Sequence, residues 1–262
     1  MPVENNSTPT EQVTEEKKTT IKKLKEYFIL LMVALMGLGN WADTKALSIE
    51  AYNGFITNFT NKIEEKKISK LDIGNYLPYA QKQIGIPQVI KTSKIDERYE
   101  YRYYKEDKYL LTLINKETRI VAIVVHSLSY DKSLVDDFSP KVPFSNFKLK
   151  EHSLEQIVPD SNEFFYDSNN IKYYMQVKQL NAQGMFLNLT SGFSDYTELK
   201  GNVAEDLFKL DEVTLMSDEQ TLTSPITKKL ATNKATFYAI SELPSEYIAD
   251  SLLTKYEFNV YF

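Results

Sequence analysis

One stretch constrains this chain more than any other. From Tyr27 to Ala42 it reads Tyr-Phe-Ile-Leu-Leu-Met-Val-Ala-Leu-Met-Gly-Leu-Gly-Asn-Trp-Ala, sixteen residues without a charge. As a helix this would reach about 24 Å. That is short of the roughly 30 Å hydrocarbon core, a gap that snorkelling of Lys23 and Lys25 and local thinning can close. Phe28, Ile29, Leu30, Leu31, Val33, Leu35 and Leu38 together favour insertion by roughly 2–4 kcal/mol. Tyr27 and Trp41 mark the two ends, where amphipathic rings prefer the headgroup layer. The sequence therefore predicts a transmembrane anchor over 27–42, touching the bilayer through Tyr27, Phe28, Leu31, Leu35, Leu38 and Trp41.

Flanking charge gives the orientation. Lys17, Lys18, Lys22, Lys23 and Lys25 precede the segment, whereas only Lys45 follows it before Lys62. The positive-inside rule then puts the polar tail 1–26 in the cytoplasm and the bulk of the chain outside it, at a bacterial inner membrane. Two other readings compete. A cleaved signal peptide would use Gly37 and Gly39 as the small residues before a cut, but its leader is long and acidic. A helix buried in a protein core is the third.

Composition excludes several classes of function. The formal net charge is −5, with no basic cluster to meet phosphates, so no nucleic-acid partner is expected. With no Cys there is no disulfide, thiolate nucleophile or Cys-based zinc site. Aromatics make up 13% of the chain, mostly Tyr and Phe, which favours sheet.

The rest reads as an α+β fold with antiparallel sheet, the anchor being followed by one or two soluble domains. Ile49, Tyr52, Phe55, Ile56, Phe59 and Ile63 recur at helical steps and predict an amphipathic helix over Thr44 to Lys66. This helix would pack on the following domain, lie on the membrane or pair with a second copy, which makes a homo-oligomer a candidate assembly. A helix over Leu71 to Ile84 should stop at Gly85, before Pro87. Strands follow at Tyr99 to Tyr104, Tyr109 to Ile114 and Arg119 to Ser127, joined by short charged links that imply antiparallel hairpins. Region 43–130 would hold these elements, and 131–262 a second β-rich region.

Asp131 to Asn146 reads as a loop. In the second region Ile171 to Val177 alternates as a strand with one wet face, and Gly184 to Thr190 would be its hairpin partner across Asn181 to Gln183. Ala204 to Leu210 and Ser245 to Thr254 read as helices. Thr236 to Ser241 and the aromatic Tyr256 to Phe262 read as strands.

Ile73-Gly74-Asn75-Tyr76 opening a helix, Ile84-Gly85-Ile86-Pro87 closing it, and Tyr101-Arg102-Tyr103-Tyr104 opening the next strand form a recognisable pattern. Over residues 70–127 this resembles the helix-plus-three-strand unit of the β-lactamase inhibitor protein and the small outer-membrane assembly lipoproteins. The resemblance implies an envelope location and a protein-binding or scaffold role. The lipid-bearing Cys of those lipoproteins has no counterpart here.

Chemistry is harder to place. His126 and His152 have no partners at metal-ligand spacing. Ser194 in Ser-Gly-Phe-Ser-Asp lacks the closing Gly of a nucleophile elbow, and no phosphate-cradling Gly loop occurs. Asp136-Asp137 and Asp211-Glu212 are adjacent acids of the kind that usually face water. No catalytic residue, cofactor or metal ligand is assigned. Tyr99, Tyr101 and Tyr103, which share one strand face, together with Arg102 on the other, form the candidate binding surface, since Tyr and Arg dominate binding hot spots. A row of Tyr can equally cover a core. The expectation is a membrane-anchored envelope protein with a non-catalytic binding or scaffold domain and a protein partner. A single-pass sensor and a carboxylate-dependent hydrolase are the alternatives.

Overall fold

A computed structural model describes residues 23, 25–33, 45–49, 51–52, 60–129, 137–199, 201–216 and 224–262. The chain divides into two compact units, 1–58 and 59–262.

In the first unit, residues 25–33, 45–49 and 51–52 are helical. Among the described residues no helix is long and apolar enough to cross a membrane. This overturns the expected anchor and the single-pass topology built on it. The described helix at 25–33 reaches only about 14 Å at 1.5 Å per residue, and it includes charged Lys25 and Glu26. Tyr27 and Leu31 of the expected bilayer contacts are exposed and Phe28 is half-buried, while Leu35, Leu38 and Trp41 lie outside the described residues. The continuous helix expected over Thr44 to Lys66 is also corrected, because Thr60 and Asn61 are not helical.

The second unit begins with helices α1 (Lys62–Ile68) and α2 (Leu77–Ile84) and strands β1 (Val89–Thr92), β2 (Tyr99–Lys105), β3 (Tyr109–Lys116) and β4 (Arg119–Ser127). There follow α3 (Leu154–Ile157), β5 (Glu163–Asp167), β6 (Tyr173–Gln179) and β7 (Asn188–Ser194). Last come α4 (Val203–Met216), α5 (Pro225–Ala231), β8 (Phe237–Ser241), α6 (Glu246–Asp250) and α7 (Lys255–Tyr261). Among the described residues the strands form one eight-stranded antiparallel sheet in the order β1-β2-β3-β4-β8-β7-β6-β5. Each half is a meander of sequence neighbours. They join where β8 returns from α5 and pairs with β4 on one side and β7 on the other, so both β-rich regions belong to one sheet.

Period-two alternation sorts the side chains into two cores. Leu111, Leu113, Ile123, Val125, Tyr238 and Ile240 face one side, where Leu77, Leu154, Leu207 and Leu230 pack on them from the helices. Tyr101, Tyr103, Val124, Phe237 and Ala239 face the other, under Ile248, Leu252 and Leu253 of the C-terminal segment. With both faces covered, the central strands are apolar throughout. For that reason β6 is buried on both faces, and the wet face expected there is absent.

The helix ends follow local chemistry. Gly85 stops α2 at φ 90°, a conformation that carries no Cβ penalty in glycine. The C-terminal aromatic stretch expected as a strand is instead α7, nucleated by a Thr254–Glu257 capping box. The segment 70–127 carries one strand more than expected, the edge strand β1. At its start Gln88 and Lys105 exchange two bonds, as the Gln88 amide nitrogen donates to the Lys105 carbonyl and the Lys105 N–H donates to Gln88 Oε1.

Candidate functional site

The expected binding tyrosines share one face of β2, but that face is interior. Tyr101 and Tyr103 are 1% and 0% exposed. The Tyr103 hydroxyl donates to the Ser251 carbonyl at 2.8 Å, and burial pushes both phenols well above their usual range. Tyr99 packs edge-on to Tyr247. Arg102, on the opposite face, is held by Glu100 at 2.5 Å and by Asn115. The four residues therefore do not form an outward patch: the tyrosines bind the chain's own C-terminal segment.

His126 is fully enclosed, stacked on Phe237 and tilted against Tyr196, with no hydrogen bond to either ring nitrogen. Burial drives its pKa down to about 3, so the ring is neutral. His152 Nδ1 accepts the Lys148 N–H. Among the described residues no cluster of three His, Asp or Glu is placed to hold a metal ion. Asp136 lies outside the described residues. Asp137 pairs with Lys150, and Asp211 accepts the Ser168 hydroxyl.

The feature that no sequence signal marked is a cleft of about 620 Å³ on the side of the sheet where α1 to α5 pack. Its floor is Ile123 of β4, Tyr238 and Ile240 of β8 and Leu187, each less than a tenth exposed. One wall comes from α1 and the turn after it, with Ile68, Leu71, Glu65 and Asp72. The other comes from the 140–148 segment, with Pro140, Lys141, Phe144 and Lys148, and Met185 closes the rim. A volume of this size, with apolar walls and few polar groups, fits a drug-sized ligand or the anchor side chains of a peptide.

Two large apolar side chains, Phe144 and Met185, stand at this rim, and Phe186 follows Met185 in the chain. Phe144, Met185 and neighbouring Phe186 are 54%, 64% and 65% exposed. All three have left-handed backbone, at φ 57°, 56° and 56°. Met185 and Phe186 are the two central residues of a turn closed by the Leu187 N–H donating to the Gly184 carbonyl at 3.1 Å. Positive φ at both central positions makes it a type I′ turn, for which Asn-Gly is the favoured sequence. Two bulky residues therefore occupy positions that disfavour them by about 1 kcal/mol each. Gly184 permits the tight approach, because a Cβ there would overlap the Leu180 side chain.

The polar groups of the cleft are arranged by sign. Lys141 and Lys148 are directly opposite each other in an antiparallel bridge, and both line the cavity. Like charges so placed repel. Lys148 has Glu151 at 3.4 Å, and no ion pair joins these lysines to Glu65 or Asp72 among the described residues. On the floor, burial alone acts on the Tyr238 phenol and raises its pKa.

No protein-family model matches the chain, and no curated protein matches it. Among solved structures, a cysteine-rich secretory protein from Staphylococcus aureus subsp. aureus Mu50 aligns with 64% of this chain and 44% of its own length. The identity is 12% and the TM-score 0.30, and the aligned part is less than half of that protein.

Proposed function

We propose that residues 59–262 form a non-catalytic binding domain whose partner protein inserts apolar side chains into the cleft between α1 and the 140–148 segment. One observation carries the reading: Met185 and Phe186 are displayed to solvent beside an apolar cleft, in a turn whose backbone favours Asn-Gly. Exposed apolar groups held against local preference are characteristic of contact surfaces, where strain is retained for binding. Large side chains around a desolvated pocket supply most of the energy of such interfaces. The resemblance of residues 70–127 to an inhibitor and scaffold family supports the same class of role.

The test is capture of a partner by the full chain, with Met185→Asp as the matched variant. The charge falls on an exposed position whose left-handed backbone Asp tolerates, so the unfolding midpoint should hold or rise while partner retention drops at least about tenfold. Tyr256→Asp on exposed α7 serves as the control and should retain the partner. Equal loss with both variants, or with neither, would overturn the assignment of the cleft.

A further inference from the structure

The bridge between Lys141 and Lys148 goes further than the apolar rim. Two ammonium-bearing side chains on directly paired residues project from the same face of a short ribbon. The repulsion costs stability, and among the described residues neither lysine has an ion pair apart from the exposed Lys148–Glu151 contact. An anion seated between the two would remove that cost. The other wall carries Glu65 and Asp72, which repel an anion. The cleft thus has an acidic wall and a basic wall over an apolar floor with the Tyr238 phenol in it.

We infer that the occupant is a peptide segment of the partner protein in which a large apolar residue is followed or preceded closely by a carboxylate. The apolar side chain fills the space over Ile123 and Ile240, and the carboxylate lies between Lys141 and Lys148. This rests on the binding-domain reading and adds the chemistry of the partner. A peptide rather than a free fatty acid is favoured by the open rim. Phe144 and Met185 are more than half exposed and offer contact to residues on either side of an anchor, for which a single alkyl chain has no counterpart.

The experiment is selection of a random peptide library on the immobilised full chain, with Met185→Asp as counter-selection. Enriched sequences should pair a Phe, Leu or Trp with an Asp or Glu within about three positions. Changing that acid to its amide should weaken binding about tenfold at low salt, and added salt should narrow the difference. The Lys141→Gln/Lys148→Gln double variant should lose that preference while keeping the amide peptide's affinity, and should fold at least as stably as the parent chain. Enriched peptides without acids, lost on Met185→Asp, would overturn the anion assignment and leave the cleft reading standing. Enrichment indifferent to Met185→Asp would overturn both. Titration with dodecanoate is the remaining arm: binding that depends on the two lysines, with no peptide enriched, would replace the peptide by a free amphiphile.

Discussion

The Tyr101 hydroxyl donates to the Asp250 carboxylate at 2.6 Å, joining strand β2 to helix α6, 149 positions away in sequence. The same carboxylate accepts from the Ser93 hydroxyl and the Lys94 N–H. Together with Tyr103 to Ser251, Tyr196 to the Leu253 carbonyl and Lys91 to Glu257, this fastens the C-terminal segment over one whole sheet face. A buried hydrogen bond to an ionised group contributes about 1.5–3 kcal/mol. Tyr101→Phe should therefore lower stability by about 2 kcal/mol in urea titrations. Asp250→Ala should cost more, since it removes an acceptor shared by three donors. Wild-type midpoints for both would mean that the segment is held by apolar packing alone.

A second prediction concerns acid. His126 is neutral in the fold because burial lowers its pKa to about 3, while in the unfolded chain it titrates near the ordinary value of about 6.5. Between these values the unfolded state binds the extra proton. The contribution of this site is thus complete above about pH 6.5 and is lost as pH falls toward 3, by about 1 kcal/mol per pH unit. Carboxylates titrate mostly lower, so the upper part of that window isolates the histidine. The urea midpoint should fall between about pH 7 and 5, and His126→Phe should flatten it. Neither ring nitrogen has a partner to lose. A wild-type midpoint constant over this range would refute the assignment.

A third concerns the attachment of α1, which forms one wall of the cleft. Lys108 Nζ reaches the Thr60 carbonyl, Asn61 Oδ1 and, at 3.6 Å, Glu64, and both charged side chains are less than a tenth exposed. Removing the Glu64 carboxylate takes a charge partner from the buried Lys108 ammonium, at a cost of about 3 kcal/mol. Glu64→Leu alone should be strongly destabilising. Adding Lys108→Met should restore much of the loss, because a well-packed apolar pair replaces an ion pair at little cost. Additive losses in the double variant would contradict this.

Parts of the architecture were open to inspection of the sequence, for identifiable reasons. β2, β3 and β4 are long, apolar or aromatic and divided by short charged links, so local pattern alone defines the hairpins. The residues after Thr254 misled because aromatic density suggests a strand, although the Thr254-x-x-Glu257 capping signal was present and decides for helix. The central place of β8 was not legible at all. Nothing local tells Phe237–Ser241 to pair with β4, more than a hundred residues earlier, and only the tertiary register does so. The tyrosine row showed its alternation but not its cover, since the covering segment is supplied from the far end of the chain. The cleft left no trace because its turn breaks the rule by which turns are found: Met-Phe stands where Asn-Gly would announce a hairpin.

That departure gives the sharpest test of stability against function. If Met185 and Phe186 are retained for contact, a better turn should make a worse binder. Met185→Asn with Phe186→Gly places the favoured type I′ pair on the existing backbone, and should raise stability by about 1–2 kcal/mol because the left-handed penalty disappears at both positions. The same variant should release a partner that the parent chain retains, since both exposed apolar side chains are gone. Phe144→Gly should act in the same direction with about half the effect on stability. Urea titration and partner retention are to be measured on the same preparations. A variant that is more stable and equally retentive would remove the reason for keeping two bulky residues in this turn, and with it the argument that the rim serves recognition.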